Sequence, residues 1–284
     1  MLRTRRRVST AAATALLVVP LLSACGALSQ LVDSPTPPDA DSGDIVWQVT
    51  YGPGFTSLEI ALATRPVVTV YGDGRFIVRA PDPNSDPMAV ATFEQGTLPP
   101  ADLQRLEQAI ADSHAFDDPD PDLGMPGVMD AGSTVVRGLG PDGTPVELDA
   151  YALGLGGTDE LSDDQKELRA DLDNLVDEAD GIVPDEGSSF YPAQQLEVLR
   201  LDHPSTTEEP LPSRSWPGRP VAELFTEEPD DDGQIACAAV TGTDVVPVLE
   251  AAESNPEHSW RDADGTEFMA VVRIALPGIT PCSD

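Results

Sequence analysis

Basic side chains are scarce in this 284-residue chain: sixteen Lys and Arg face fifty Asp and Glu, for a net charge of −34, and Lys166 is the single lysine. Such a chain repels phosphate backbones and anionic lipid head groups, so nucleic-acid binding is excluded as a role. Histidine and cysteine are equally sparse, with three of each. His114, His203 and His258 lie far apart in polar or proline-flanked stretches, which reads as surface or loop histidine rather than as a metal set or a general base. There is no G-x-S-x-G elbow, no P-loop and no H-E-x-x-H helix. Aromatic residues make up only 5% of the chain. Trp47, Trp216 and Trp260 are therefore expected to complete an aliphatic core, with Trp260, beside the turn at 262–265, the one partly exposed.

Long apolar runs are missing too. The run from Ala11 to Leu22, broken by Thr14 and Pro20, is well short of the ~20 residues that span a bilayer as a helix. It follows four arginines, Arg3, Arg5, Arg6 and Arg7, and so has the charged and apolar regions of an export signal. Next comes Leu22-Ser23-Ala24-Cys25-Gly26, which matches the lipobox of bacterial lipoproteins. The expectation is that residues 1–24 are a signal peptide and that Cys25 becomes the lipidated first residue of the mature chain. Acyl chains there hold a protein on a membrane without spanning it, at ~0.8 kcal/mol per buried methylene. Residues 26–43 carry prolines, serines and aspartates with no apolar period and read as a disordered tether. Its ends would lie ~25 Å apart as a coil and up to ~55 Å apart as a polyproline-like rod. Loss of residues 1–24 removes four arginines and no acid, so the net charge of −34 becomes −38. A tether of that length lifts such a body off an anionic surface by more than a Debye length of ~8 Å.

With Cys25 lipidated, Cys237 and Cys282 remain as an even pair in an oxidising compartment, and they are expected to form one disulfide. No histidine or further cysteine lies near either, which disfavours a metal site. No cofactor is called for.

Downstream, hydrophobic periodicity and turn signals predict an α+β fold in two compact regions, 44–185 and 190–284, built of antiparallel hairpins covered on one face by helices. In the first, a strand at 45–51 precedes two β-branched runs, 66–71 and 75–79, joined through Gly72-Asp73-Gly74. A strand near 89–94 comes next. A helix starts with Pro99-Pro100-Ala101-Asp102 and buries Leu103, Leu106 and Ile110. A second hairpin, 133–137 with 144–148, turns at Pro141-Asp142-Gly143. Ser162 and Gln165 form the capping box of a helix that buries Leu168, Leu172, Leu175, Val176 and Ala179 and stops at Gly181. In the second region, a weakly patterned strand at 194–201 and another at 234–240 precede a helix capped by Thr243. A final hairpin joins 258–261 to 266–274 through Asp264-Gly265.

Asp118, Asp120 and Asp122 alternate as calcium ligands do. Counted from Asp118, however, the sixth and twelfth positions hold Leu123 and Met129 where an EF-hand needs Gly and Glu. An acidic solvated connection is the better reading, and the run at 227–232 reads the same way. No metal site is assigned.

Several segments resemble a group of uncharacterised actinobacterial lipoproteins. They are the lipobox, Val68-Thr69-Val70-Tyr71-Gly72-Asp73-Gly74-Arg75, Pro126-Gly127-Val128-Met129-Asp130, Tyr151-Ala152-Leu153-Gly154, Ser215-Trp216-Pro217 and the tail Val271-Val272-Arg273-Ile274-Ala275-Leu276-Pro277 with Cys282. The tail departs from that group at Ile274 and Ala275, which replace a Pro and a Leu. The resemblance implies a compartment and a shape, and no activity. The expected role is a lipid-anchored binding or protein-interaction module on the extracytoplasmic face of the cell membrane, with an envelope protein as partner. Two alternatives are a hydrolase whose site assembles from dispersed residues and an inhibitor of secreted proteases presenting the proline-rich loop 208–220.

Overall fold

The computed structural model describes residues 43–81, 87–185, 187, 189–201, 212–225, 235–255, 258–279 and 281–282. The expected signal peptide 1–24, Cys25 and residues 26–42 of the expected tether lie outside the described residues, as do His203, residues 208–211 of the proline-rich loop and the run 227–232. The fold is α+β, with antiparallel sheets and helices packed on them.

The first half of the chain makes most of a seven-stranded antiparallel sheet. β1 (Ile45–Tyr51) leads through α1 (Leu58–Ala63) to β2 (Val68–Tyr71) and β3 (Arg75–Arg79), whose turn carries Gly74 at φ 81. β4 (Phe93–Thr97) lies a few residues beyond the expected strand near 89–94. Its sequence, Phe-Glu-Gln-Gly-Thr, has little strand preference of its own. It is held by pairing with β3, where Phe76 sits opposite Gly96 and a Cβ on Gly96 would lie 2.4 Å from the Phe76 ring. α2 (Pro100–Asp112) opens with proline in its first turn and buries Leu106 and Ile110, while Leu103 is only partly covered. β5 (Ser133–Leu139) and β6 (Pro145–Tyr151) form the second hairpin. α3 (Asp163–Ile182) has both hydrogen bonds of the Ser162–Gln165 capping box and buries Leu172, Leu175, Val176 and Ala179.

Strand order in this sheet is β6-β5-β1-β2-β3-β4-β7, where β7 (Ser189–Phe190) pairs with β4. α2 and α3 cover one face, on which Trp47, Val49, Val70, Phe76, Val136 and Leu148 meet Leu106 and Leu172. Each such side chain, fully buried, contributes ~1.5–3 kcal/mol.

The second sheet runs β10-β8-β12-β11-β9. Its members are β8 (Gln195–Leu201), β9 (Arg214–Ser215), β10 (Ile235–Thr241), β11 (Ser259–Arg261) and β12 (Glu267–Ile274). All neighbours are antiparallel except β9 and β11. α4 (Val221–Leu224) and α5 (Val245–Glu253) add Leu224, Val245 and Val248 to a core with Leu196, Val198, Val240 and Val272. Asp244 stands at the N-cap of α5, and Thr243 lies inside a short 3-10 turn before it, so Thr243 is not the cap. Tyr71, Ile77, Val90 and Phe93, from the larger sheet and the segment before β4, belong to this same core. The second face of the larger sheet is therefore covered at β2–β4, whereas its β5–β6 part carries the exposed ion pair Arg137–Glu147.

The expectation of a partly exposed Trp260 fails. Trp260 is fully buried, because its indole N–H donates to the Ala270 carbonyl at 3.0 Å and its ring meets Trp216 edge-on at 5.1 Å. His258 is in a loop but only 1% exposed, and its backbone amide donates to the Asn255 carbonyl.

Cys237 of β10 is disulfide-bonded to Cys282, with Cα atoms 5.6 Å apart. The tail it fastens packs against an ionic cluster missed in the sequence. Glu197 on β8 pairs with Arg65 and, at 2.6 Å, with Arg273 on β12, and it accepts the Cys282 amide at 3.1 Å. Burial by itself would raise the Glu197 pKa. The two guanidiniums and the Cys282 amide outweigh burial and hold it below the usual carboxylate value.

Candidate functional site

One end of the larger sheet carries the features that need explaining. There β1 and β6 finish and β2 and β5 begin, and three connections meet: 52–57, 123–132 and 152–160. Their backbones interlock. The Gly52 amide donates to the Ser133 carbonyl at 2.7 Å, Ala152 to Gly132 at 2.8 Å and Gly127 to Gly157 at 2.9 Å. The approach is so close that a Cβ on Gly54 would lie 2.1 Å from the Asp130 carbonyl oxygen, and one on Gly132 2.1 Å from that of Gly52. Asp130 and Ala152 hold left-handed φ of 57 and 53, a conformation that costs roughly 1–3 kcal/mol outside glycine and persists only where surroundings enforce it.

Side chains lock the same loops. The Tyr151 hydroxyl donates to the Val128 carbonyl and accepts the Ala131 amide, both at 3.0 Å. Arg169, buried on α3, donates to the carbonyls of Leu123 at 3.2 Å and Tyr151 at 2.7 Å. Gln165, beyond capping its helix, donates to Asp122 at 2.9 Å. Thus α3, β6 and the 123–132 loop form one rigid tip.

What the tip presents is apolar. Among the described residues, six of the eight large exposed hydrophobic side chains are here: Tyr51, Phe55, Leu58, Met125, Met129 and Leu155. Phe55 is 91% exposed and Met129 85%. Beside it, sharing Tyr51 and Pro53, a groove of about 670 Å³ opens between α1 and the segments flanking β3 and β4. Ile60, Val67 and Val90 line it, with Arg79 and Glu253 as its charged groups.

The field around the tip is negative. Burial raises the Tyr51 pKa most, and Asp180, Asp177 and Asp173 on α3 raise it further. Asp180 is itself pushed up, by burial first and then by Asp185 and Asp177. The chain enters the sheet at the opposite end, where the Gly72 amide donates to the Asp44 carbonyl. β1 separates the two ends by about 20 Å at ~3.4 Å per residue.

No family model, curated protein or solved structure matches this chain.

Among the described residues, one cluster brings groups of catalytic type together. Ser113, His114, Asp117 and Asp171 are neighbours at the end of α2; Ser113 is buried, and none of the four lines the groove. The Ser113 hydroxyl donates to Asp171 at 2.7 Å and not to a histidine, and both groups accept the Ala115 amide. His114 is exposed and faces Asp117 at 3.0 Å, whose hydrogen bond and charge raise its pKa. The arrangement caps a 3-10 turn, with the serine held on a carboxylate and the histidine turned to a different one.

The acidic loop also has local duties. Asp118 accepts the Asp120 amide, and Asp122 accepts the Gly124 amide and the Gln165 side chain. Among the described residues no group of three His, Cys, Asp or Glu is placed to hold a metal. The spacing G-x-G-x-x-G occurs at Gly138-Leu139-Gly140-Pro141-Asp142-Gly143. It joins antiparallel β5 and β6 and opens no helix, so it lacks the phosphate-binding context. Of the proline-rich loop, residues 214–215 are a sheet strand and Trp216 is buried. No described helix is long and apolar enough to cross a membrane.

Proposed function

We propose that this chain is a lipid-anchored, extracytoplasmic binding module, held to the cell membrane through Cys25 and using the groove-and-tip end to engage an envelope protein. The observation that carries the reading is the rigid apolar tip. Exposed Phe and Met side chains in a chain of charge −34 are unfavourable in water unless something covers them. The loops that present them are fixed by buried hydrogen bonds and strained backbone, as a preorganised contact surface requires.

Three features support the compartment. The lipobox stands in the right order after charged and apolar regions, the remaining two cysteines are bonded to one another, and short segments resemble actinobacterial lipoproteins. A disulfide persists in an oxidising environment. The acidic body has no affinity for anionic head groups, so contact with the membrane falls to the lipid and the tether.

The test is chemical crosslinking on intact cells, followed by recovery of the lipoprotein and identification of what is joined to it. The reading predicts a defined extracytoplasmic protein, recovered from the wild type and lost when Cys25→Ser leaves the chain unprocessed and without lipid. Recovery of lipid alone, repeated at low ionic strength, would refute it.

A further inference from the structure

Resting on the binding-module reading, we infer that the tip formed by residues 52–58, 123–132 and 152–160 docks a basic protein surface with an apolar centre. The apolar part is Phe55, Met125, Met129 and Leu155, four exposed side chains drawn from all three loops. Around it lie exposed carboxylates: Asp130, Asp159 and Glu160 on the loops, and Asp177 and Asp180 on the adjoining helix. Of the cations near this end, Arg169 is buried and donates to two carbonyls, Lys166 pairs with Asp163 at 3.7 Å, and Arg79 belongs to the neighbouring groove.

An apolar patch ringed by one sign of charge selects its partner in two steps. The ring steers and orients a surface of opposite sign, and contact of the apolar centres then slows dissociation. A membrane fits this tip poorly, since anionic head groups meet the same carboxylates. The tip also lies at the far end of the sheet from Asp44, where the chain arrives from its proposed anchor. The tip is thus the end of the sheet away from the point where the tether joins. Left-handed Asp130 and Ala152 sit in the loops that present the patch, so the presenting geometry is maintained against local backbone preference.

A photo-crosslinking amino acid placed at Phe55 tests this in cells, with the same group at Asp142 as a control in the turn at the other end of the sheet. Phe55 is 91% exposed, so the replacement leaves the core intact. The inference predicts adducts from position 55 and not from 142, to an identified protein whose crosslinked surface carries Lys and Arg around apolar residues. Adding Asp177→Asn and Asp180→Asn, or Met129→Ser, should cut the yield about five-fold or more, and added salt should cut it for the wild-type tip. Adducts from position 142 alone, an acidic partner, or a yield indifferent to both substitutions and salt would overturn the tip assignment while leaving a binding module. Adducts to no protein from either position would overturn both.

Discussion

Removing the disulfide isolates how much of this fold depends on its tail. Cys237 and Cys282 are 45 residues apart, and their bond closes a loop containing α5, β11 and β12. In the chain-entropy description, opening a loop of ~45 residues frees ~13 cal/mol/K, of which ~11 is the length-dependent part, or ~4 kcal/mol at room temperature. The tail also brings the Cys282 amide to Glu197 at 3.1 Å, a hydrogen bond to a buried charge worth a further ~1 kcal/mol or more. For a body of this size each kcal/mol moves the melting temperature by ~2–4 °C, so the double variant Cys237→Ser/Cys282→Ser should melt ~10–20 °C lower. Calorimetry on the mature protein measures this, and a reductant supplies the control. It should lower the wild-type transition by a similar amount and leave the variant unchanged. A transition within ~2 °C of wild type would refute the loop-closure reasoning, and free thiol in unreduced wild type would refute the bond itself.

Three further perturbations follow from named contacts. Glu197→Gln should destabilise the fold by ~3–5 kcal/mol at neutral pH, because two guanidiniums lose their buried counter-charge. Glu197 has a lowered pKa, so its contribution is complete above the ordinary value of 4.5 and is lost as pH falls through the lower folded value; urea titrations of wild type and variant should converge in acid. His114 should titrate above its ordinary value of 6.5 in a proton NMR experiment, and Asp117→Asn should bring it down. The small stabilisation it provides is present below the ordinary value and disappears as pH rises through the folded one. Arg169→Met should cost ~2–4 kcal/mol and speed amide exchange across 123–131, since the Leu123 and Tyr151 carbonyls lose their donor. Unchanged exchange there would mean that Arg169 does not hold the tip.

The elements that could be read from the sequence are those fixed by neighbours in the chain. Pro99-Pro100 starts a helix because proline there forfeits no hydrogen bond, and Ser162 with Gln165 marks another because their side chains satisfy the first free amides. Gly72-Asp73-Gly74 and Asp264-Gly265 set hairpins by turn geometry alone. What escaped was set by partners distant in sequence. β4 is placed by a glycine that makes room for the Phe76 ring, and Trp260 is sealed in by Trp216 from another segment. The β8 pattern looked weak because both faces are buried, one in the core and the other around Glu197. The tip was hidden for the same reason. Phe55, Met129 and Leu155 are unremarkable singly, and only the interlocking of three loops brings them together. The disulfide was legible by elimination, once Cys25 was assigned to lipid.

That assignment is also the point on which the compartment rests, and intact mass analysis of the mature protein purified from membranes tests it most directly. The account predicts a chain beginning at Cys25 that carries a diacylglyceryl group, and a Cys25→Ser variant that keeps residues 1–24 and gains no lipid. A wild-type N-terminus at any other residue, or a Cys25 thiol without lipid, would contradict it.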